Sequence, residues 1–148
     1  MTYSDYISSL REKRINRMFL NSDSEKRKSV YRELLQCADK NLRFFAGNLC
    51  DDITNSDDFV EGISDFIEKN GNLEILLNKY DESVIKESNL YKRLAFYAAR
   101  NYNVTVKSTP VTVNIHLNGK DTPAHFAVAD FYAFRLEVDI KKRTAICN

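Results

Sequence analysis

Five side chains in this 148-residue sequence are the candidates for an anion site: Asn48, His125, Arg135 and Asn148 as contacts, with Glu137 to orient Arg135. A histidine donates or accepts a proton near neutral pH. A guanidinium grips a phosphate or carboxylate through its fork of N–H donors. Arg135 and Glu137 are two residues apart, so on a strand they share one face and the carboxylate can orient the guanidinium. Each residue also has a plainer reading: a polar strand start for His125, a solvated ion pair for Arg135 and Glu137, a chain end for Asn148. Asp51-Asp52 follows an apolar run, where an acid or metal role competes with a polar loop leading into a helix.

Other site chemistries find no support. The four glycines are scattered singly, so neither a phosphate loop nor a dinucleotide fingerprint is present. No Gly-x-Ser-x-Gly elbow occurs. Cys37, Cys50 and Cys147 are widely spaced, and with His116 and His125 they complete no zinc pattern. Reduced thiols, a cytoplasmic location, no metal and no cofactor are the expectation. No apolar run approaches the ~20 residues of a membrane helix, and MTYSDYISSLREKR lacks the apolar core of a secretory leader.

The elements that must position these residues follow from periodicity. Tyr3, Tyr6, Ile7, Leu10, Ile15, Met18 and Phe19 predict an N-terminal helix capped by Ser4. Val30, Leu34, Cys37 and Ala38 predict a second helix after the break at Asn21–Ser24. Residues 42–49 read as a buried strand leaving through Gly47-Asn48. A helix capped at Ser56 and ended by Gly71 should bury Phe59, Ile63, Phe66 and Ile67. A strand over Leu73–Asn78, a helix over Leu90–Arg100 burying Leu94, Ala95, Tyr97 and Ala98, and a strand over Val104–Lys107 complete two β-α-β units with a parallel sheet. Val111–Ile115 alternates as a half-buried strand, Asn118-Gly119 marks a turn, and strands follow at His125–Asp130, Phe131–Asp139 and Thr144–Cys147, with turns at Asp130 and Lys141-Lys142. The expectation is one α/β domain over residues 23–148, a mixed and mostly parallel sheet flanked by helices, with a helical arm over residues 1–22.

Net charge is +1, yet its distribution is uneven: +3 over residues 1–40, −7 over 41–82 and +5 over 83–148. The basic last part suits an anionic ligand. Within it the one run of three is Lys141-Lys142-Arg143, which speaks against nucleic acid without removing it. Oppositely charged stretches and the aromatics Tyr3, Tyr6, Phe19 and Tyr31 suggest a homodimer or a protein-interaction surface.

Three segments together carry a family likeness: Phe45-Ala46-Gly47-Asn48-Leu49, Leu76-Leu77-Asn78, and His125 through Asn148. With the helices between them, they resemble one half-unit of the phospholipase D superfamily, and most of all its small stand-alone bacterial members with an incomplete catalytic motif. Active members carry His-x-Lys-x4-Asp, followed on the next strand by a Gly-Ser-x-Asn-like element. His125 matches the histidine, but Ala127 and Tyr132 stand at the lysine and aspartate positions, and Ala145-Ile146-Cys147-Asn148 keeps only the asparagine. The resemblance implies a histidine nucleophile and a covalent phospho-enzyme whose charge the lysine and asparagine hold. Loss of one such donor costs about 10²–10³ in rate.

The expected function is therefore a catalytically degenerate, phospholipase D-like domain that binds or senses a phosphate-containing or other anionic small molecule through Asn48, His125, Arg135, Glu137 and Asn148. A homodimeric phosphodiesterase or nuclease using His125, and a protein–protein interaction module, are the alternatives. No membrane partner is expected.

Overall fold

The computed structural model describes residues 2–12, 19–21, 24–117, 119–130, 133–139 and 144–147. In chain order these form α1 (Tyr3–Glu12), β1 (Phe19–Asn21), α2 (Ser24–Cys37), β2 (Asn41–Ala46), α3 (Asp57–Glu68), β3 (Asn72–Leu77), α4 (Glu82–Ile85), α5 (Asn89–Ala98), β4 (Val104–Ser108), β5 (Asn114–Leu117), β6 (Lys120–Pro123), β7 (His125–Ala129), β8 (Ala133–Asp139) and β9 (Thr144–Cys147). The fold class is α/β with a mixed sheet, in the order β1-β9-β8-β7-β2-β3-β4. It is parallel only at one end, where β2 pairs β3 and β3 pairs β4. From β2 through β7, β8 and β9 to β1 every pairing is antiparallel. The expectation of a mostly parallel sheet thus holds for the β-α-β end alone, because the four strands beyond β2 meet their neighbours antiparallel.

α2, α3 and α5 pack side by side on one face of the sheet. Beneath them lies a core of Leu42, Phe44, Leu73, Ile75 and Leu77 from the strands against Leu34, Ile63, Phe66, Ile67, Leu90 and Leu94 from the helices. Burying each such side chain is worth roughly 1.5–3 kcal/mol. On α5 the buried stripe is Leu90, Tyr91, Leu94 and Tyr97; Ala95 and Ala98, expected inside, are exposed. Ser56 caps α3 as expected, accepting the Phe59 N–H at 3.3 Å. The left-handed residue that ends this helix is Asn70 (φ +67°), not Gly71. Gly71 is needed for space: a Cβ there would lie 2.4 Å from Phe66 Cζ.

The N-terminal segment differs from its reading in three ways. Thr2, not Ser4, caps α1, accepting the Asp5 N–H at 3.0 Å. Ser4 instead accepts a hydrogen bond from Arg32 of α2. Phe19, expected to close the first helix, and the following Leu20 and Asn21, where the break was expected to begin, form a strand paired with β9, because an edge position was open there. The stretch read as an arm is therefore tied into the domain at both places: β1 extends the sheet, and α1 lies on α2, where the Ser8 hydroxyl donates to Glu33 at 2.6 Å. Tyr31, read among the interface aromatics, is buried, its ring edge-on to Phe59 at 5.3 Å.

Val111–Ile115 was expected to be a half-buried strand. Val111 is 57% exposed, and β5 starts only at Asn114, pairing with β6 in a separate two-stranded sheet. Its turn uses Gly119 at φ +77°, while Asn118 lies outside the described residues. Lys141 and Lys142 lie outside them as well.

The turn after β7 is held by Asp130, in a left-handed conformation (φ +50°). Its carboxylate accepts the backbone N–H groups of Asp39, Lys40 and Asn41 at 2.8–2.9 Å, joining this turn to the start of β2. Burial opposes the charged form, but these three donors outweigh it and hold the carboxyl below its ordinary range. A depressed folded-state pKa means that the stabilisation is complete above the unfolded value of about 3.9 and disappears as pH falls through the folded one. Replacing Asp130 with Ala leaves three backbone donors without this acceptor. Denaturant unfolding at pH 7 should show a loss of about 3 kcal/mol, and the difference between wild type and variant should shrink as the pH is lowered below 4.

Candidate functional site

The β7–β8 register builds the site. His125 stands opposite Glu137, and Ala127 opposite Arg135. Ala127 also faces Phe44 of β2 across the other ladder, so this row points at the helix layer, where Tyr31 of α2 covers it. Phe126, Val128, Phe134 and Leu136 alternate with these residues and point to the opposite face, on which no helix packs among the described residues. The charged groups here lie beneath the helices, and these large apolar side chains are half-buried on the other face.

Arg135 and Glu137 are each 2% exposed. Arg135 Nη1 donates to Glu137 Oε2 at 2.9 Å and to the Tyr31 hydroxyl oxygen at 3.3 Å. The guanidinium carbon sits 5.0 Å from the centre of the Tyr31 ring, within cation–π range. Burial pushes the Tyr31 phenol up, Arg135 works against that shift, and Glu137 reinforces it. The other carboxylate oxygen of Glu137 lies 3.9 Å from His125 Nδ1, a charge contact longer than a hydrogen bond. Arg135 and Glu137, both among the expected ligand contacts, are thus bonded to each other behind the histidine.

His125 opens β7 at the edge where the parallel strands end. β2 leaves there through Gly47 and β3 through Asn78-Lys79, and the ladder runs on as Asn78 N–H donates to the Ala46 carbonyl and Lys79 N–H to that of Gly47, both at 3.0 Å. A Cβ on Gly47 would lie 3.6 Å from His125 Cε1 and 3.8 Å from Lys79 Cδ. The imidazole and the exposed lysine stem therefore both border Gly47. Lys79 is a site residue that the sequence reading missed. Its signal was its place directly after a parallel strand, at the edge where open α/β sheets bind their ligands.

The remaining expected residues divide. Asn48 lies in the loop after β2 and shapes it: its side-chain oxygen accepts the Cys50 N–H at 3.0 Å, and its carbonyl accepts the Tyr91 hydroxyl at 2.7 Å. Asn148 and Tyr132 lie outside the described residues. The strand that follows the histidine strand is β8, and it sets Glu137 opposite His125 and Arg135 opposite Ala127, while Ala145-Ile146-Cys147 lie one strand further on, in β9. Asp51 closes the loop, accepting the N–H groups of Ile53 and Thr54 at 2.9 Å. Asp52 reaches instead toward Arg27 of α2, 3.8 Å away. Among the described residues no three metal-ligating side chains converge. A groove of about 790 Å³ runs between α2 and α3, but basic Lys28 and Arg32 face acidic Asp58 and Glu61 across it, so it offers no concentrated charge of one sign.

No family model matches the chain, and no curated protein matches it. Among solved structures, it is similar in fold to TrmBL2, described as an archaeal chromatin protein with a novel mode of DNA binding. The likeness has a TM-score of 0.56 at 12% identity and covers 97% of this chain and 49% of that one. The chain thus spans about half the length of that protein, and at this identity the likeness concerns the fold.

Proposed function

We propose that this chain is a catalytically silent anion-binding domain of phospholipase D-like architecture, taking a phosphate-type group at the carboxyl edge of its parallel strands. The observation that carries the reading is the placement of His125 and Lys79 on either side of Gly47. A residue without a side chain lets an anion approach the backbone between two groups that can donate to it. The buried Arg135–Glu137 pair fixes the histidine from behind. The reading is silent on turnover for an electrostatic reason. Ala127 leaves the motif's cation to Arg135 on the neighbouring strand, and that cation is spent on Glu137. A pentavalent phosphoryl centre at His125 would lack the charge stabilisation that dominates such chemistry. The fold likeness to a DNA-binding chromatin protein adds duplex DNA to the anions worth testing.

A second reading, self-association, is favoured by the large apolar side chains that β7 and β8 turn away from the helices. On the face away from α2, α3 and α5, Leu76 is 38% exposed, and Phe126, Val128, Phe134 and Leu136 are half-buried. Arg43 and Glu74 stand 3.2 Å apart at its rim, both partly exposed, and such a pair is self-complementary about a two-fold axis. Light scattering at high micromolar concentration should give twice the monomer mass, and Leu76→Asp should return it to the monomer. Monomer mass for the wild type would end this second reading alone.

Calorimetric titration with inorganic phosphate, phenyl phosphate and a short DNA duplex tests the first. Millimolar or tighter binding of a phosphate compound is expected, weakened about tenfold by His125→Ala and by Lys79→Ala. Absence of binding by all three probes would contradict it, and turnover of bis-p-nitrophenyl phosphate abolished by His125→Ala would replace it with the enzyme reading. Glu137→Gln breaks a buried pair and should cost about 3 kcal/mol of stability in denaturant unfolding.

A further inference from the structure

Two arginines are buried at this end of the molecule, and their surroundings differ. Arg135 has a carboxylate at 2.9 Å and a hydroxyl at 3.3 Å. The Arg27 side chain is only 8% exposed, yet its ion-pair partner among the described residues is Asp52 at 3.8 Å, and the Asp52 side chain is 85% exposed. That separation is too long for a hydrogen bond. A guanidinium carries five N–H donors, and an arginine withdrawn from water is ordinarily well paired. Among the described residues, Arg27 is a desolvated cation whose one ion pair is loose and solvent-facing.

Its position gives this a purpose. α2 leads back into β2 through a short link, so the start of the helix lies over the carboxyl edge of the sheet, which the contact with Asp52 in the loop after β2 bears out. Arg27 is four residues before Tyr31 and on the same helix face. Tyr31 is the residue that holds Arg135. Arg27 is therefore one helical turn nearer the edge than the Arg135–Tyr31 contact, on the side where Glu137 and His125 stand opposite one another.

We propose that Arg27 is the principal ligand contact of the anion site, that it takes a phosphate monoester through its fork, and that Asp52 is an internal competitor which occupies the guanidinium until the ligand displaces it. This rests on the anion-site reading above and adds to it a residue, a ligand class and a built-in counter-ion. A monoester dianion fits better than a diester because it offers two charges and three terminal oxygens to a fork that donates through parallel N–H groups. The fully exposed Asp52 gives up little when it returns to water.

Titration of the intact chain with phenyl phosphate, followed by calorimetry and by thermal unfolding, tests the proposal. Arg27→Met should weaken binding about 10–100-fold, and the ligand-free variant should melt at or above the wild-type temperature, since it removes a poorly compensated buried charge. Arg27→Lys keeps the charge without the fork and should fall between them. Asp52→Asn, on an exposed loop where folding is not at risk, should tighten binding by about 3–10-fold by removing the competitor. Wild-type affinity in Arg27→Met and Arg27→Lys, with His125→Ala still weakened, would overturn the inference and leave the anion-site reading standing. Weaker binding in Asp52→Asn would likewise overturn it. No binding by the wild type would remove the site itself.

Discussion

The buried pair between Arg135 and Glu137 is the constraint around which this end of the domain is arranged. Two full charges withdrawn from water on neighbouring positions of β8 are tolerated only if each is neutralised and hydrogen-bonded. The structure meets that demand with a 2.9 Å ion pair and a tyrosine hydroxyl supplied by the helix above. Three consequences follow. Tyr31 must be large and must stay protonated, which its burial favours. Ala127 must be small, because the Arg135 side chain occupies the row across from it. His125 gains a carboxylate 3.9 Å behind its ring without losing its place at the strand edge. The same pair that stands behind the histidine also holds the Arg135 charge on Glu137.

The rest of the site is ordinary sheet geometry put to use. Parallel strands end at one edge, the loops after them carry Gly47-Asn48 and Asn78-Lys79, and β7 begins there with His125. The antiparallel half contributes the histidine and its support, while the parallel half contributes the open backbone and the lysine. Neither half makes the site alone. The turn at Asp130 keeps them in register, since its carboxylate ties the β7–β8 corner to the three residues that begin β2.

Much of the fold was legible in the sequence, for reasons that can be named. α3 and β3 are long, strongly patterned and clearly capped, and both lie where periodicity placed them. His125–Ala129 and its partner strand were legible from alternation and from the aspartate between them. β1 was not, because Ile15, Met18 and Phe19 continue a helical spacing and only a partner strand far along the chain makes Phe19–Asn21 extended. Val111–Ile115 misled for the opposite reason: it alternates, but it does not pair with the open β4 edge, and only from Asn114 does it form a strand, with β6. At the site, Arg135 and Glu137 were legible as a pair but not as a buried one, since burial depends on which face α2 covers. Lys79 was legible only through its place directly after a parallel strand, and Arg27 was not legible at all, because nothing local distinguishes it from other helix cations until α2 buries it over the sheet edge.

Everything above turns on an anion bound where His125 and Lys79 border Gly47. Backbone amide chemical shifts recorded during a titration with phenyl phosphate report on that contact residue by residue. Saturable shifts should concentrate at Gly47, Asn48, Lys79, His125 and the start of α2, with the β5–β6 hairpin tip and α5 unmoved. Shifts centred instead on the groove between α2 and α3, or none at millimolar ligand, would contradict it.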